Sequence, residues 1–347
     1  MSLAPKVTEI PTSLARANTQ VNAAQEALYA NNSDLPQWPW LDVQRLCGSP
    51  LPGDLTVIGA RPANGKTSMM LNLFDHFTAL GYPTLYIGAG SEGPPKDLRR
   101  QWAALRLGYP SHLVMENRWS ELPSGPSRFE PGKEVDARSR VFYDLQEQSM
   151  NEHAVAHFAD AGEKLTPEVL TAALRDFRGC THGRYVLLDH IHRIRFGTEK
   201  NPRLELAEAT RWLRDMAAKY EWSIIVAAQL HRAPGQNGAL RDLIPPTTSD
   251  LKETGTLEED AVVVLLLHRV KRSDADAAQV NAVARGERPV SDILEPRCMA
   301  VRIGKHRRRG HVMDSTAFLN IGDDGRLTSR APVWRKEDTS TEARYGV

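Results

Sequence analysis

The run Val57-Ile58-Gly59-Ala60-Arg61-Pro62-Ala63-Asn64-Gly65-Lys66-Thr67-Ser68 places an apolar strand before a tight loop that ends in Gly-Lys-Thr and opens a helix. Backbone N–H groups of such a loop converge on phosphate oxygens, the lysine adds a point charge, and the hydroxyl that follows is placed to ligate Mg²⁺. The loop therefore predicts a site for ATP and Mg²⁺ held by Ala60, Arg61, Pro62, Asn64, Gly65, Lys66, Thr67 and Ser68. The pattern G-x-x-x-x-G-K-[ST] is met except at its first position, where Ala60 stands after Gly59, so the chain is expected to enter the loop differently from the commonest kind. A chance Gly-Lys-Thr at a helix start is the alternative. The strand Leu55 to Ile58 before it, and Met69, Met70, Leu73 and Phe77 at amphipathic spacing after it, argue against chance.

Phosphoryl transfer to water needs a carboxylate near the metal, a base that orients the water and a cation for the developing charge. Tyr185-Val186-Leu187-Leu188-Asp189 reads as a buried strand that delivers a carboxylate at its end, which suits Asp189 to hold Mg²⁺ with Thr67; a helix cap is the other reading of Asp189. Glu92 follows the strand Thr84 to Gly88 and could polarise the attacking water, although taken alone it reads as a solvated loop acid. Gln229, at the end of the strand Ser223 to Ala228, could contact the γ-phosphate. The densest charge is Lys305-His306-Arg307-Arg308-Arg309-Gly310-His311, with Arg297 and Arg302 nearby. It reads as a solvated hairpin, as a grip on nucleic-acid phosphates, or as cations delivered to a neighbour's nucleotide; aromatics are absent from it, which disfavours base stacking.

The elements that must position these groups alternate strand and helix. Helices are expected over Lys96 to Leu107, Val169 to Phe177 with Thr166 as cap, and Leu204 to Tyr220; further strands are expected over Ala261 to Leu267, Met299 to Gly304 and Val312 to Leu319. Strands apolar on both faces specify an α/β fold with a mainly parallel twisted sheet. Residues 1–37 read as an arm or linker with one helix from Ser13 to Tyr29, 38–325 as the globular domain, and 326–347 as a flexible tail. Tyr109 to Val141, rich in Pro, Gly, Ser and charge, reads as a surface excursion.

With 347 residues and 41% hydrophobic content the chain can bury a sizeable core, and its formal net charge of +1 supplies no global field toward nucleic acid or membrane. Cys47, Cys180 and Cys298 lie far apart without metal spacing, as expected of reduced thiols. No apolar run of about 18 residues and no signal pattern is visible, so a soluble cytoplasmic protein without membrane contact is expected.

Several separate segments resemble the C-terminal motor domain of the DnaB family of replicative helicases, members of the RecA-like P-loop ATPases. They are Leu51-Pro52-Gly53-Asp54-Leu55 with the Ala60 to Ser68 loop, Glu92 with Pro94 and Leu98, Leu165 to Leu170 before the Asp189 strand, and Ala228-Gln229-Leu230-His231-Arg232. The longest is Ser249-Asp250-Leu251-Lys252-Glu253-Thr254-Gly255-Thr256-Leu257-Glu258-Glu259-Asp260-Ala261. The resemblance implies a RecA-like ATPase with a C-terminal β-hairpin, acting as a 5′-to-3′ helicase in a ring of six with ATP at the junctions. It implies that Lys252, Glu253 and Gly255 meet single-stranded DNA, and that Glu92, Lys66, Asp189, Gln229, Lys305 and Arg307 are catalytic, Lys305 and Arg307 reaching the adjacent subunit's γ-phosphate. A loader or other replication protein is a further implied partner. The family's N-terminal helical domain is not expected here, and His190 and His192 stand where the family has Tyr and Gln. The rival readings are an ATP-gated DNA-binding assembly or scaffold without processive unwinding, a recombinase-like filament and a small-molecule kinase.

Overall fold

The computed structural model describes residues 35–88, 95–126, 132–151, 156–160, 165–180, 185–194, 201–230 and 244–330. The arm helix expected from Ser13 to Tyr29, Glu92 and residues 331–347 of the expected tail lie outside the described residues, whereas Leu327–Arg330, expected to belong to that tail, form a strand.

Mostly apolar strands must be covered on both faces, and the central strands at Leu55–Ala60, Thr84–Gly88, Tyr185–Asp189 and Ser223–Gln229 are buried at every position or at all but the last. In chain order the strands are β1 Leu55–Ala60, β2 Thr84–Gly88, β3 Gly125–Pro126, β4 Glu134–Val135, β5 Ala156–Asp160, β6 Tyr185–Asp189, β7 Ser223–Gln229, β8 Val263–Lys271, β9 Leu294–His306, β10 Thr316–Ile321 and β11 Leu327–Arg330. β3 and β4 form a small separate hairpin, while the other nine make one sheet in the order β11-β10-β9-β8-β1-β7-β6-β2-β5. From β8 to β5 every neighbouring pair is parallel, and β9, β10 and β11 extend β8 by antiparallel pairing. The mainly parallel sheet with a C-terminal β-hairpin is thus as the sequence predicts.

The helices are α1 Leu41–Cys47, α2 Lys66–Ala79, α3 Pro95–Leu107, α4 Ser111–Met115, α5 Ala137–Asn151, α6 Pro167–Cys180, α7 Pro202–Tyr220, α8 Gly255–Asp260 and α9 Ala277–Ala284. Alternate strand residues divide between two cores. Ile58, Ala60, Tyr86, Leu187 and Ile225 pack with Phe74 and Phe77 of α2 and Trp102 of α3, whereas Leu55, Val57, Ile87, Val186 and Leu188 pack with α6 and α7. This division is the period-two consequence of the pleat. Capping follows the sequence: Thr166 Oγ1 accepts from Val169 N at 3.4 Å, and Asn201 accepts from Arg203 N at 3.0 Å with Pro202 opening α7.

The excursion from Tyr109 to Val141 is more than surface loop. α4, a 3₁₀ turn at Trp119–Glu121 and the β3–β4 hairpin lead into α5, and Tyr109, Val114, Leu122, Ala137 and Val141 bury a small core of their own with Ala103 and Ala104 of α3. Tyr109 Oη donates to Pro123 O at 3.0 Å and accepts from Arg140 at 2.7 Å.

The basic run is used internally in part. Arg308 makes a bidentate pair with the buried Asp54 at 2.6 Å on each arm, tying the run to the turn that enters β1, and Arg309 donates to Arg45 O at 3.0 Å. His306 is buried, its Nε2 opposite Cys47 O at 2.8 Å and its Nδ1 accepting from the backbone of Arg308 and Arg309. Burial foremost holds its imidazole below the ordinary histidine range.

Candidate nucleotide-binding site

All parallel strands deliver their C-terminal ends to one edge of the sheet, where α/β folds bind ligands. In register, Ala60 lies beside Gln229 and Leu267, and Gly88 lies beside Asp189, so these strand ends converge there. Ala60 is the last residue of β1, paired on both sides in extended backbone, which is why no glycine is needed at that position. The left-handed residues come later: Ala63 at φ +59° and Gly65 at φ +84°. A Cβ on Gly65 would also meet Met299 Sδ at 3.1 Å, so both backbone and space call for glycine. Asn64 N donates to Arg61 O at 3.3 Å, closing a tight turn, and α2 begins at Lys66.

The result is a cleft of about 400 Å³ lined by Pro62, Ala63, Asn64, Gly65, Lys66, Thr67 and Ser68 together with Gln229, Arg269 and Ile321. Thr67 Oγ1 donates to Asp189 Oδ2 at 2.8 Å, and Tyr86 Oη donates to the same oxygen at 3.0 Å. A helix N-terminus with a lysine, facing a hydroxyl–carboxylate pair, fits a phosphate chain with a hard divalent cation. Gln229 is exposed at the mouth, and its backbone N–H donates to His192 Nδ1 at 3.3 Å.

Sequence reasoning misses Arg269. It takes the strand to end at Leu267, but β8 continues to Lys271 alongside β9 and carries Arg269 into the cleft, where its backbone N–H donates to Asn64 Oδ1 at 3.2 Å. Tyr86 escapes it too, since a tyrosine inside a strand reads as core. Conversely, Ala60 and Arg61 are not among the cleft-lining residues: Ala60 is buried in the strand, and the Arg61 guanidinium turns away to Ile244 O at 2.9 Å and Asp250 at 3.4 Å.

Lys305 and Arg307 lie elsewhere. β9 runs antiparallel to β8, so its end pairs with the start of β8: His306 faces Val263, and Arg307 N donates to Val262 O. That is the sheet edge opposite the cradle, separated from it by roughly 15 Å of strand at about 3.3 Å per residue. There Lys305 Nζ donates to Glu258 O and Glu259 O, and Arg307 donates to Glu259 O at 2.6 Å, both cations sitting on the last carbonyls of α8. Burial, then Arg307, holds the Lys305 amine below its usual range. One copy of the chain cannot bring these cations to its own Lys66.

The signature segment links the two edges. Its first part, Thr248–Thr254, is a 3₁₀ helix containing Lys252 and Glu253, and Gly255 opens α8; Leu251 and Leu257 are buried anchors on the α6/α7 side. His268 is buried within electrostatic reach of Arg61 and Arg302, and its Nδ1 meets no hydrogen-bond partner among the described residues. Burial, aided by the two guanidinium groups, pushes its pKa down to about 4. The unfolded chain therefore binds a proton that the folded chain refuses, so the share of stability linked to His268 is fully present above pH 6.5 and is lost as pH drops toward 4, by about 3 kcal/mol. Urea unfolding at pH 7 and pH 4 should show that loss in the wild type and a pH dependence flatter by about the same 3 kcal/mol in His268→Gln.

Among the described residues no helix is long and apolar enough to cross a membrane. Residues 133–319 match the family model of the DnaB-like helicase C-terminal domain, a span that includes Asp189, Gln229 and the 249–261 segment and begins after the phosphate loop. The replicative DNA helicase DnaB of Buchnera aphidicola subsp. Schizaphis graminum is 26% identical over 220 residues, which is 63% of this chain and 43% of that protein. The replicative DNA helicase DnaB of Haemophilus influenzae is 24% identical over 225 residues, covering 63% and 42%. The chain thus spans less than half the length of these relatives. Among solved structures, one of a DnaB-like replicative helicase and its interactions with primase superposes with a TM-score of 0.67 at 17% identity, over 90% of this chain and 68% of that one. A second, solved as an ATPase domain, superposes with a TM-score of 0.64 at 17% identity, over 91% of this chain and 98% of that one. These two share the fold. With a family match over more than half of its length, the chain belongs to the DnaB-like helicase C-terminal domain family.

Proposed function

We propose that the chain is the motor of an ATP-driven helicase that encircles single-stranded DNA as a ring, six copies being the expected number, and hydrolyses ATP where one copy meets the next. The observation that carries this reading is the placement of Lys305 and Arg307 at the sheet edge opposite Lys66 and Thr67. A heterologous contact, repeated until it closes, sets one copy's cation edge against the next copy's cradle.

Within a junction the geometry supports the following division of roles. Pro62 to Ser68 grip the phosphates, Lys66 supplies positive charge, and Thr67 with Asp189 would hold Mg²⁺. The metal, when bound, neutralises phosphate charge. Tyr86 keeps the Asp189 carboxylate aimed at Thr67. Arg269 and Ile321 bound the cleft beyond the phosphates and suit the base end of the nucleotide. Gln229 reads the γ-phosphate, and Lys305 and Arg307 from the neighbour stabilise charge as the bond to the leaving oxygen lengthens. Glu92, which follows β2 in the sequence, is proposed to orient the water; the last residue of β2, Gly88, lies in register with Asp189. Lys252, Glu253 and Gly255 grip the DNA backbone, so affinity is expected to fall with salt and to ignore base sequence.

The deciding test is strand displacement on a forked duplex with a 5′ single-stranded tail. ATP-dependent unwinding is expected. DNA binding with ATP-driven assembly but an intact fork would leave the gated scaffold as the function.

A further inference from the structure

We propose that Arg61 is a positioning residue that joins the phosphate cradle to the 249–256 segment, with the Arg61–Asp250 pair as the joint through which nucleotide state changes DNA affinity. The proposal rests on the reading that this segment meets the DNA strand.

Arg61 is the residue between β1 and the cradle. The turn that starts with it is stiff: Pro62 has its φ fixed by its ring, Ala63 is left-handed, and Asn64 N closes on Arg61 O. The Arg61 backbone must therefore move with the cradle when the cradle reseats on a phosphate chain. Its side chain does not face that chain; it runs the other way, only 3% exposed, to hold Ile244 O and the Asp250 carboxylate, itself 11% exposed. Asp250 Oδ2 also accepts from Thr247 N at 3.1 Å, so the oxygen facing Arg61 is the one that closes the turn leading to Lys252. The residues on either side of Asp250 are held to the sheet: Pro246 O accepts from Arg302 at 3.4 Å, Thr248 packs so close to Gly304 that an added Cβ there would lie 2.9 Å from Thr248 Cγ2, and Leu251 is buried in the core on the α6/α7 side. Displacing Arg61 thus moves Asp250 against neighbours on either side that stay seated, which tilts the 3₁₀ turn that bears Lys252 and Glu253. In a site this dry the pair is weakly screened, so the coupling survives at physiological salt.

The test measures anisotropy of a labelled oligothymidylate on the full chain with a non-hydrolysable ATP analogue and with ADP, alongside ATP turnover with and without that oligonucleotide. Asp250→Asn keeps the shape and an acceptor for Thr247 N but removes the charge facing Arg61. It should leave DNA-free turnover within about twofold of wild type and shrink the ratio of DNA affinities between the two nucleotides by about fivefold or more. Arg61→Lys should retain part of the ratio, and the double variant Arg61→Gln/Asp250→Asn should lose no more coupling than Asp250→Asn alone. A wild-type ratio in both Asp250→Asn and Arg61→Lys overturns the proposal, as does an equal loss of DNA affinity in both nucleotide states, which is what a merely structural pair would give. If wild-type protein already binds the oligonucleotide equally well with either nucleotide, or not at all, the reading of the segment as a nucleotide-controlled DNA contact fails, and the joint falls with it before any variant is made.

Discussion

ATP turnover by Lys66→Ala protein and by Arg307→Ala protein is expected to lie about 10³-fold or more below wild type when each is assayed alone, and to return when the two are mixed and allowed to reassemble. Neither substitution opens a core. Lys66 caps the cradle, and Arg307 gives up one carbonyl contact at α8 that Lys305 continues to serve. In a mixed ring, a junction built from the cradle of an Arg307→Ala copy and the cations of a Lys66→Ala copy has every group it needs. Random assembly makes about a quarter of the junctions of that kind. Failure of the mixture to regain turnover, with ring formation intact, would mean that the cradle does not take Arg307 from another copy. Dilution adds a second readout, since turnover that needs a junction falls as rings dissociate, whereas a self-contained site keeps its rate per chain.

The strand ends are legible in the sequence because they combine two independent signals. Asp189 stands at the end of a run too apolar to be anything but a two-face-covered strand, and Gly65-Lys66-Thr67 stands where strand becomes helix; each group is placed by the backbone that precedes it. Arg269 is not legible, for a related reason. His268 and Arg269 are polar, so the apolar pattern stops before them, but the antiparallel partner β9 continues to hold the strand and His268 is buried neutral. The small core around Tyr109, Val114, Leu122 and Val141 escapes because its members come from turns and short elements at no fixed spacing, so no period reports them. The use of Arg308 and Arg309 against Asp54 and Arg45 O is hidden in the same way, as contacts between residues so distant along the chain leave no local trace. The opposite-edge position of Lys305 and Arg307 needs the strand direction of β9, which composition does not encode.

That same convergence of strand ends sets the last expectation, for Asp189→Asn. The carboxylate is buried, accepts from Thr67 and Tyr86 at one oxygen, and sits in register beside Gly88. An asparagine of the same shape can keep an acceptor toward both hydroxyls, so the fold should change in stability by no more than about 1 kcal/mol. What it cannot keep is the negative charge that a divalent cation needs in a cleft that also holds the cations Lys66 and Arg269. Turnover is expected to fall by about 10²-fold or more, while ATP binding measured in EDTA stays close to wild type and the gain in affinity on adding Mg²⁺ largely disappears. Tyr86→Phe supplies the graded control: the charge remains but loses a hydroxyl donor, worth about 1 kcal/mol, so turnover should drop several-fold with the Mg²⁺ gain retained. If Asp189→Asn keeps both its Mg²⁺ gain and its turnover, the carboxylate is there to anchor Thr67 and Tyr86 rather than to hold a metal, and the metal's ligands must be sought on the segment that carries Glu92.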